Sequence, residues 1–295
     1  MSIERKESSS TLTDNKSSLV SSPAVNPQQT QKETSSHTQL LRLAKTFALD
    51  GAMLPVEKQM PLEDRTLKRE RLSKLRKQQN LETIIQQAIT YCSDAEATNK
   101  ADPDWFTHYI KLAEDVTNKT MQDLWAKILA GEITQPGAFS LKALTLLKSM
   151  SITEAKLLAK ACALAIKDNS KKNIRLFSGS YQKPRLFNIF NKNKAAHINL
   201  SHFGLNYTEL LSLADNHLIF IQESESKTFK KNEELNFNYN SINFTLKAKK
   251  EDVILQFYKF TPMGTELAAL ISDKPADNNY FNHLKQQLNL HFAIT

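Results

Sequence analysis

The stretch Trp125-Ala-Lys-Ile-Leu-Ala-Gly131-Glu-Ile-Thr-Gln-Pro136-Gly137-Ala-Phe-Ser140-Leu-Lys-Ala-Leu144 constrains this chain more than any other. Met121, Leu124, Trp125, Ile128 and Leu129 recur at i, i+3, i+4, i+7 and i+8, which sets them on one face of a helix. Gly131 follows the last periodic position and is expected to end that helix, because glycine reaches positive φ without a Cβ clash. Pro136-Gly137 suits the centre of a type II turn. Ser140 then offers a side-chain oxygen to the free amides of a second helix, Leu141 to Met150. The tract predicts an antiparallel helical hairpin; it specifies fold and carries no chemistry.

From Leu124 to Ser140 the chain resembles a bacterial family known only as a domain of unknown function, the 2806 family. Its pattern runs close to Leu-Trp-Ala-x-Ile-Leu-Ala-Gly-Glu-Ile-x-x-Pro-Gly-x-Phe-Ser. The context agrees at Arg76-Lys77-Gln78-Gln79-Asn80-Leu81-Glu82 and at Met150-Ser151 with Glu154-Ala155, while Lys142-Ala143 stands where the family has Arg-Thr. The resemblance covers roughly residues 62–270. It implies a bacterial cytosolic protein and brings no catalytic residue with it.

A chain of 295 residues, 40% apolar and 24% charged, has room for one or two domains with a true core. It holds no apolar run near the roughly 18 residues that span a bilayer, and no apolar segment follows Met1-Ser-Ile-Glu-Arg-Lys-Glu, so neither a membrane span nor a secretory signal is expected. Cys92 and Cys162 both fall in amphipathic helical patterns and are expected to be reduced core residues, which suits a cytoplasmic setting.

The expected fold class is mainly α: a helical N-terminal unit, then a small α+β winged-helix-like unit, with a disordered N-terminal tail. Residues 1–38 are polar and lack aromatics, so they are expected to be disordered. A short helix with Leu40, Leu43, Ala44 and Phe47 on its apolar face, and a linker with Pro55 and Pro61, fill 39–61. An all-helical domain follows at 62–167. Its first helix buries Leu81, Ile84, Ile85, Ala88, Ile89 and Cys92, its second is capped by Asp102-Pro103, and its last opens on the capping box Ser151-Ile-Thr-Glu154. Residues 168–194 read as a basic linker or hairpin, and 195–272 as the winged-helix-like unit, with strands at 217–222, 235–246 and 253–260. A C-terminal helix in 273–295 docks through Tyr280, Phe281, Leu284 and Leu288.

Two basic regions are candidate nucleic-acid contacts. Arg65-Thr-Leu-Lys68-Arg69-Glu-Arg71-Leu-Ser-Lys74-Leu-Arg76-Lys77 has the cation density to track phosphates. Against that stands a solvated helix face neutralised by Glu63, Asp64 and Glu70 through i,i+4 pairs. The second region carries Lys171, Lys172, Arg175, Lys183, Arg185, Lys192 and Lys194, interleaved with Phe177, Tyr181, Phe187 and Phe190, and has no acidic residue between 169 and 208. Cations beside aromatics suit a single strand; an exposed linker anchored by its aromatics is the alternative. The helix Asn206 to Asp215, which would be the recognition helix of a winged-helix domain, carries Glu209 and Asp215 and no Lys or Arg, so the basic segment would have to do much of the DNA contact.

The residues name no catalytic group, cofactor or metal site. His197 and His202 are the nearest histidine pair, spaced poorly for a metal, and Glu114, Asp115 and Glu132 read as surface charge. The expectation is a cytoplasmic, non-enzymatic binding or regulatory protein, acting through nucleic-acid or other polyanion contacts or through a protein partner, with phage defence as one setting. The net charge of +8 favours a polyanion. Two alternatives stand beside it. One is a scaffold with Trp105, Trp125 or the helix 62–92 exposed as an apolar seam; the other is a nuclease-like enzyme whose site is assembled from distant residues.

Overall fold

The computed structural model describes residues 35–92, 100, 102–170, 173–184, 195–271 and 275–295. The tail expected to be disordered lies almost wholly outside the described residues. The chain divides into two compact units, Met1–Arg65 and Thr66–Thr295.

In the first unit, Ser35 caps α1 (Ser36–Thr46), its hydroxyl accepting from the Thr38 amide at 3.3 Å. Two 3₁₀ turns follow, Asp50–Met53 and Val56–Lys58. Of the apolar face expected on α1, only Ala44 is buried; Leu40, Leu43 and Phe47 are exposed.

The second unit begins in α2 (Leu62–Tyr91), which starts just before the boundary, and continues through α3 (Pro103–Ala113), α4 (Lys119–Thr134), α5 (Leu141–Ser149) and α6 (Ile152–Leu164). Asp102, Asn118, Ser140 and Ser151 each cap the helix that follows. Trp125 is fully buried, with Tyr109 tilted against it at 5.3 Å and donating its hydroxyl to the Trp125 carbonyl. Trp105 stacks on Tyr109 at 5.2 Å. Neither tryptophan is free to form an exposed seam.

Gly131 does not end α4, which runs on to Thr134. It makes room instead: a Cβ there would lie 2.9 Å from the Phe139 ring. Gly137 has φ +85, the left-handed conformation that the Pro-Gly turn needs. The adjacent Glu132, read from sequence as surface charge, is 2% exposed. Its carboxylate accepts from the Gly137 amide at 2.7 Å and the Phe139 amide at 3.1 Å. Trp105 Nε1–H donates to the Phe139 carbonyl, and the Ser140 amide and hydroxyl donate to Glu266. A buried carboxylate thus ties the turn that joins α4 to α5.

The mainly α expectation fails from Ile166 onward. Among the described residues an eight-stranded antiparallel sheet follows. Its strands are β1 (Ile166–Asp168), β2 (Ile174–Gln182), β3 (Ala196–His197), β4 (Ser224–Glu225), β5 (Glu234–Tyr239), β6 (Ile242–Ala248), β7 (Val253–Lys259) and β8 (Phe292–Ile294). They lie in the order β4-β7-β2-β1-β5-β6-β8, with β3 paired to β2. Between them lie α7 (Tyr207–Asp215), α8 (Pro262–Ala268) and α9 (Asn278–Leu288). This is a large sheet with helices, and not a small winged-helix unit.

Three local facts account for the difference. The segment 168–194, expected to be a basic linker or hairpin, holds the interior strand β2, and β1 begins at the end of the expected helical domain 62–167. Residues 217–222 make only the isolated bridge Ile219 to Phe260. The single strand expected at 235–246 is a hairpin, because Asn240 turns the chain at φ 53 between paired Tyr239 and Ile242.

The sheet is curled. β6 and β7 are four strand spacings apart in its order, which would be about 19 Å in a flat sheet. Yet only residues 249–252 join them, a reach of about 17 Å at full extension. The segment just before β5 closes the gap: the Phe229 amide bonds to Val253 and the Asn232 amide to Ala248. Phe229 also meets Phe292 of β8 edge-on at 5.5 Å. Phe177, Phe237 and Phe244 form an aromatic cluster on this sheet, and α9 covers it with Phe281 against Phe244 and Tyr239. Tyr280, Phe281, Leu284 and Leu288 are all buried.

Candidate polyanion interface

From Lys77 onward, the second half of α2 is anchored along one face. Lys77 pairs with Glu114, which raises its pKa, and lies 3.6 Å from Asp115. Asn80 is buried, donating to the Glu114 carbonyl at 2.8 Å and accepting from Gln122, which also donates to the Val116 carbonyl. Ile84 and Ala88 continue this face into the core. Ile85 and Ile89, expected beside them, are 40% and 66% exposed, and Cys92 is exposed too.

With that face fixed, Lys68, Arg69, Arg71 and Lys74 are exposed. Among the described residues none of the four makes a hydrogen bond or an ion pair through its side chain. Glu70 stands four residues before Lys74 without pairing with it, so the neutralised helix face considered from sequence is not formed there. Between Leu62 and Lys77 seven cations face three acids. Leu67, Leu72 and Leu75 lie exposed among them.

Of the second basic region, Arg175 and Lys183 lie among the described residues. Lys171, Lys172, Arg185, Lys192 and Lys194, with Phe187 and Phe190, lie outside the described residues. Arg175 is second in β2 and Lys183 follows its last residue, about 25 Å apart along an extended chain. Lys183 is exposed. Arg175 is half-buried and lies 5.1 Å from the Phe257 ring centroid. Phe177, offered from sequence as a base-stacking ring, has no exposed surface and packs edge-on against Phe237. Tyr181 holds Glu225 through its hydroxyl. The α7 helix is docked rather than presented: Glu209 pairs with Lys160 at 2.9 Å, and Asn216 donates to Glu154.

A family model described as a protein of unknown function, DUF2806, matches residues 64–285. The chain belongs to the DUF2806 family. The matched span of DUF2806 takes in the α4–α5 turn, the basic half of α2 and most of the curled sheet. No curated protein and no solved structure matches the chain. Among the described residues no group of three or more His, Cys, Asp or Glu side chains is placed to hold a metal ion. No described helix is long and apolar enough to cross a membrane.

Sequence reasoning missed Glu132 as a buried tie and Arg175 as a half-buried cation. The first had a signal: its neighbours Gly131, Pro136 and Gly137 mark a turn whose amides need an acceptor. The second had none, because Phe257 lies 82 residues further along the chain.

Proposed function

We propose that this is a non-enzymatic binding protein whose partner is a polyanion, nucleic acid foremost, held along the N-terminal half of α2. The observation that supports this is the set Lys68, Arg69, Arg71 and Lys74, exposed on one short length of helix with no acidic partner among the described residues. Helical spacing lets successive cations reach successive phosphates, and counterion release supplies the free energy. The helix has no base-reading pair of Asn or Gln between Leu67 and Lys77, so sequence-tolerant binding is the form expected.

The test is fluorescence anisotropy with labelled single- and double-stranded DNA and RNA at low and physiological salt. Four phosphate contacts on a duplex predict a slope of log K against log salt of about −3.6, or roughly 100-fold weaker binding from 50 to 200 mM. Changing Lys68, Arg69, Arg71 and Lys74 together to Gln should abolish the salt-sensitive binding. No binding to any of the four probes would remove the proposal. Intact binding by that variant, with loss in Lys171→Glu/Lys172→Glu, would move the interface to the second basic segment.

A second reading has its own observation. Leu67, Leu72, Leu75, Ile85 and Ile89 are 63%, 40%, 51%, 40% and 66% exposed along α2, which suits a protein partner laid on that helix. A strict monomer by light scattering at high protein concentration would exclude self-association as its form.

A further inference from the structure

Arg175 is a cation whose buried guanidinium Nε has no hydrogen-bond partner among the described residues. It stands second in β2 and lies over the Phe257 ring, a favourable cation–π placement. Its Nε–H, however, is shut off from solvent and donates to nothing, and among the described residues the guanidinium makes no hydrogen bond or ion pair. Asp168 is the nearby acid and draws the Arg175 pKa upward, but burial outweighs it and the value falls below that of an ordinary guanidinium. Asp168 does not bond to Arg175 because its own loop occupies it: Ser170 donates at 2.7 Å, the Asn173 amide at 3.3 Å and Asn173 Nδ2 at 2.6 Å. Holding an unpaired cation half out of water costs stability, and an apolar side chain at this position would avoid the cost.

What the guanidinium borders is a cavity of about 360 Å3. Asp168 and Arg175 form one side, Phe237 and Phe257 supply aromatic wall, and Ser226, Lys227 and Asn236 add to the polar lining. A mostly apolar concavity with a few placed polar groups is the common form of a small-molecule site. The charges select among guests. Glu225 also lines the cavity, so Arg175 and Lys227 face two carboxylates. Lys227 is already paired with Glu233, which leaves Arg175 as the unengaged cation. One unpaired donor set beside two carboxylates suits a single negative charge and repels a polyphosphate or a nucleic-acid strand. A planar guanidinium favours a carboxylate, which it can hold through two parallel bonds.

We infer that this cavity binds a small monocarboxylate with an aromatic or compact apolar body, its carboxylate on Arg175 and its body against Phe237 and Phe257. The site is separate from the α2 surface and does not depend on it.

The test titrates phenylacetate, phenylacetamide and AMP into the full chain, with binding read by saturation-transfer NMR and calorimetry. Phenylacetate should bind at least tenfold more tightly than the uncharged phenylacetamide, and AMP should not compete for the site. Arg175→Gln should weaken phenylacetate at least tenfold while the ligand-free variant melts no lower than the parent, since it sheds an unpaired cation. Leu235→Trp leaves Arg175 in place and enlarges a half-buried side chain that lines the cavity on the same strand face as Phe237; it should block phenylacetate equally and covers the case in which Arg175→Gln misfolds. Equal binding of acid and amide overturns the inference. So do undiminished binding by either folded variant and millimolar failure of phenylacetate together with a panel of aliphatic and aromatic monocarboxylates.

Discussion

The α4–α5 turn and the first half of α2 treat their charged groups in opposite ways. In the turn, Glu132 is buried and both of its oxygens are used, by the amides of Gly137 and Phe139. Gly131, Phe139 and Ser140 are likewise each committed to an internal contact. On α2, Lys68, Arg69, Arg71 and Lys74 are exposed and commit to nothing among the described residues. The difference teaches where to look for activity. The tract most recognisable in sequence is spent on holding two helices together, whereas the stretch with free interaction capacity is compositionally plain.

The largest expected effect tests the closed side of that comparison. Glu132→Ala leaves two amides without an acceptor in a buried turn, and hydrogen bonds to a charged group are worth about 1.5–3 kcal/mol each. Urea denaturation should show a loss of about 3 kcal/mol. Glu132→Gln, which keeps one acceptor oxygen, should lose less than the alanine variant. If Glu132→Ala unfolds at the parent midpoint, the carboxylate is not the tie described here and the contrast with α2 collapses.

The legible parts of the chain are the local ones. Asp102, Ser140 and Ser151 cap helices where their sequence context placed them, because capping is decided within four residues. The sheet was hidden for the opposite reason. β2 pairs with β7 some 80 residues later, and its pattern of Ile174, Leu176 and Phe177 buried on both faces erases simple alternation. Its cations also give it the composition of an exposed linker. The candidate sites divide likewise. The exposed cations of α2 follow from an amphipathic period, but the pairing of Arg175 with Phe257, and the occupation of Asp168 by its own loop, exist only once strands meet.

A smaller effect probes a charge intermediate between the two regions. The Glu154 carboxyl is held below its usual value of 4.5, chiefly by the Ser151 amide and then by the Ser151 and Asn216 side chains. A lowered folded pKa means that the carboxylate stabilises the fold above the unfolded pKa, and that this contribution is lost as pH falls through the folded value. Glu154→Gln should cost about 0.5 kcal/mol near pH 7, a capping term discounted for exposure. The gap from the parent should narrow as pH falls below the unfolded value of about 4.5 and vanish once pH is under the lowered folded value, where the parent is protonated as well. A gap that is the same at pH 3 and pH 7 would show that charge plays no part in this cap.

The smallest stability effect is expected where the binding effect is largest. Replacing Lys68, Arg69, Arg71 and Lys74 with Gln keeps strong helix formers on exposed positions and removes i,i+3 repulsions between Lys68 and Arg71 and between Arg71 and Lys74. Surface changes of this kind move stability by about 0.5 kcal/mol or less each, and here the loss of like-charge contacts should bring the sum to zero or slightly above it. Thermal and urea melts of the quadruple variant should therefore overlay the parent while its anisotropy titration is flat. A drop of more than about 2 kcal/mol would mean that these cations hold the fold in some contact with the rest of the chain. α2 would then be closed in the same sense as the Glu132 turn, and its charges could no longer be argued to exist for a partner.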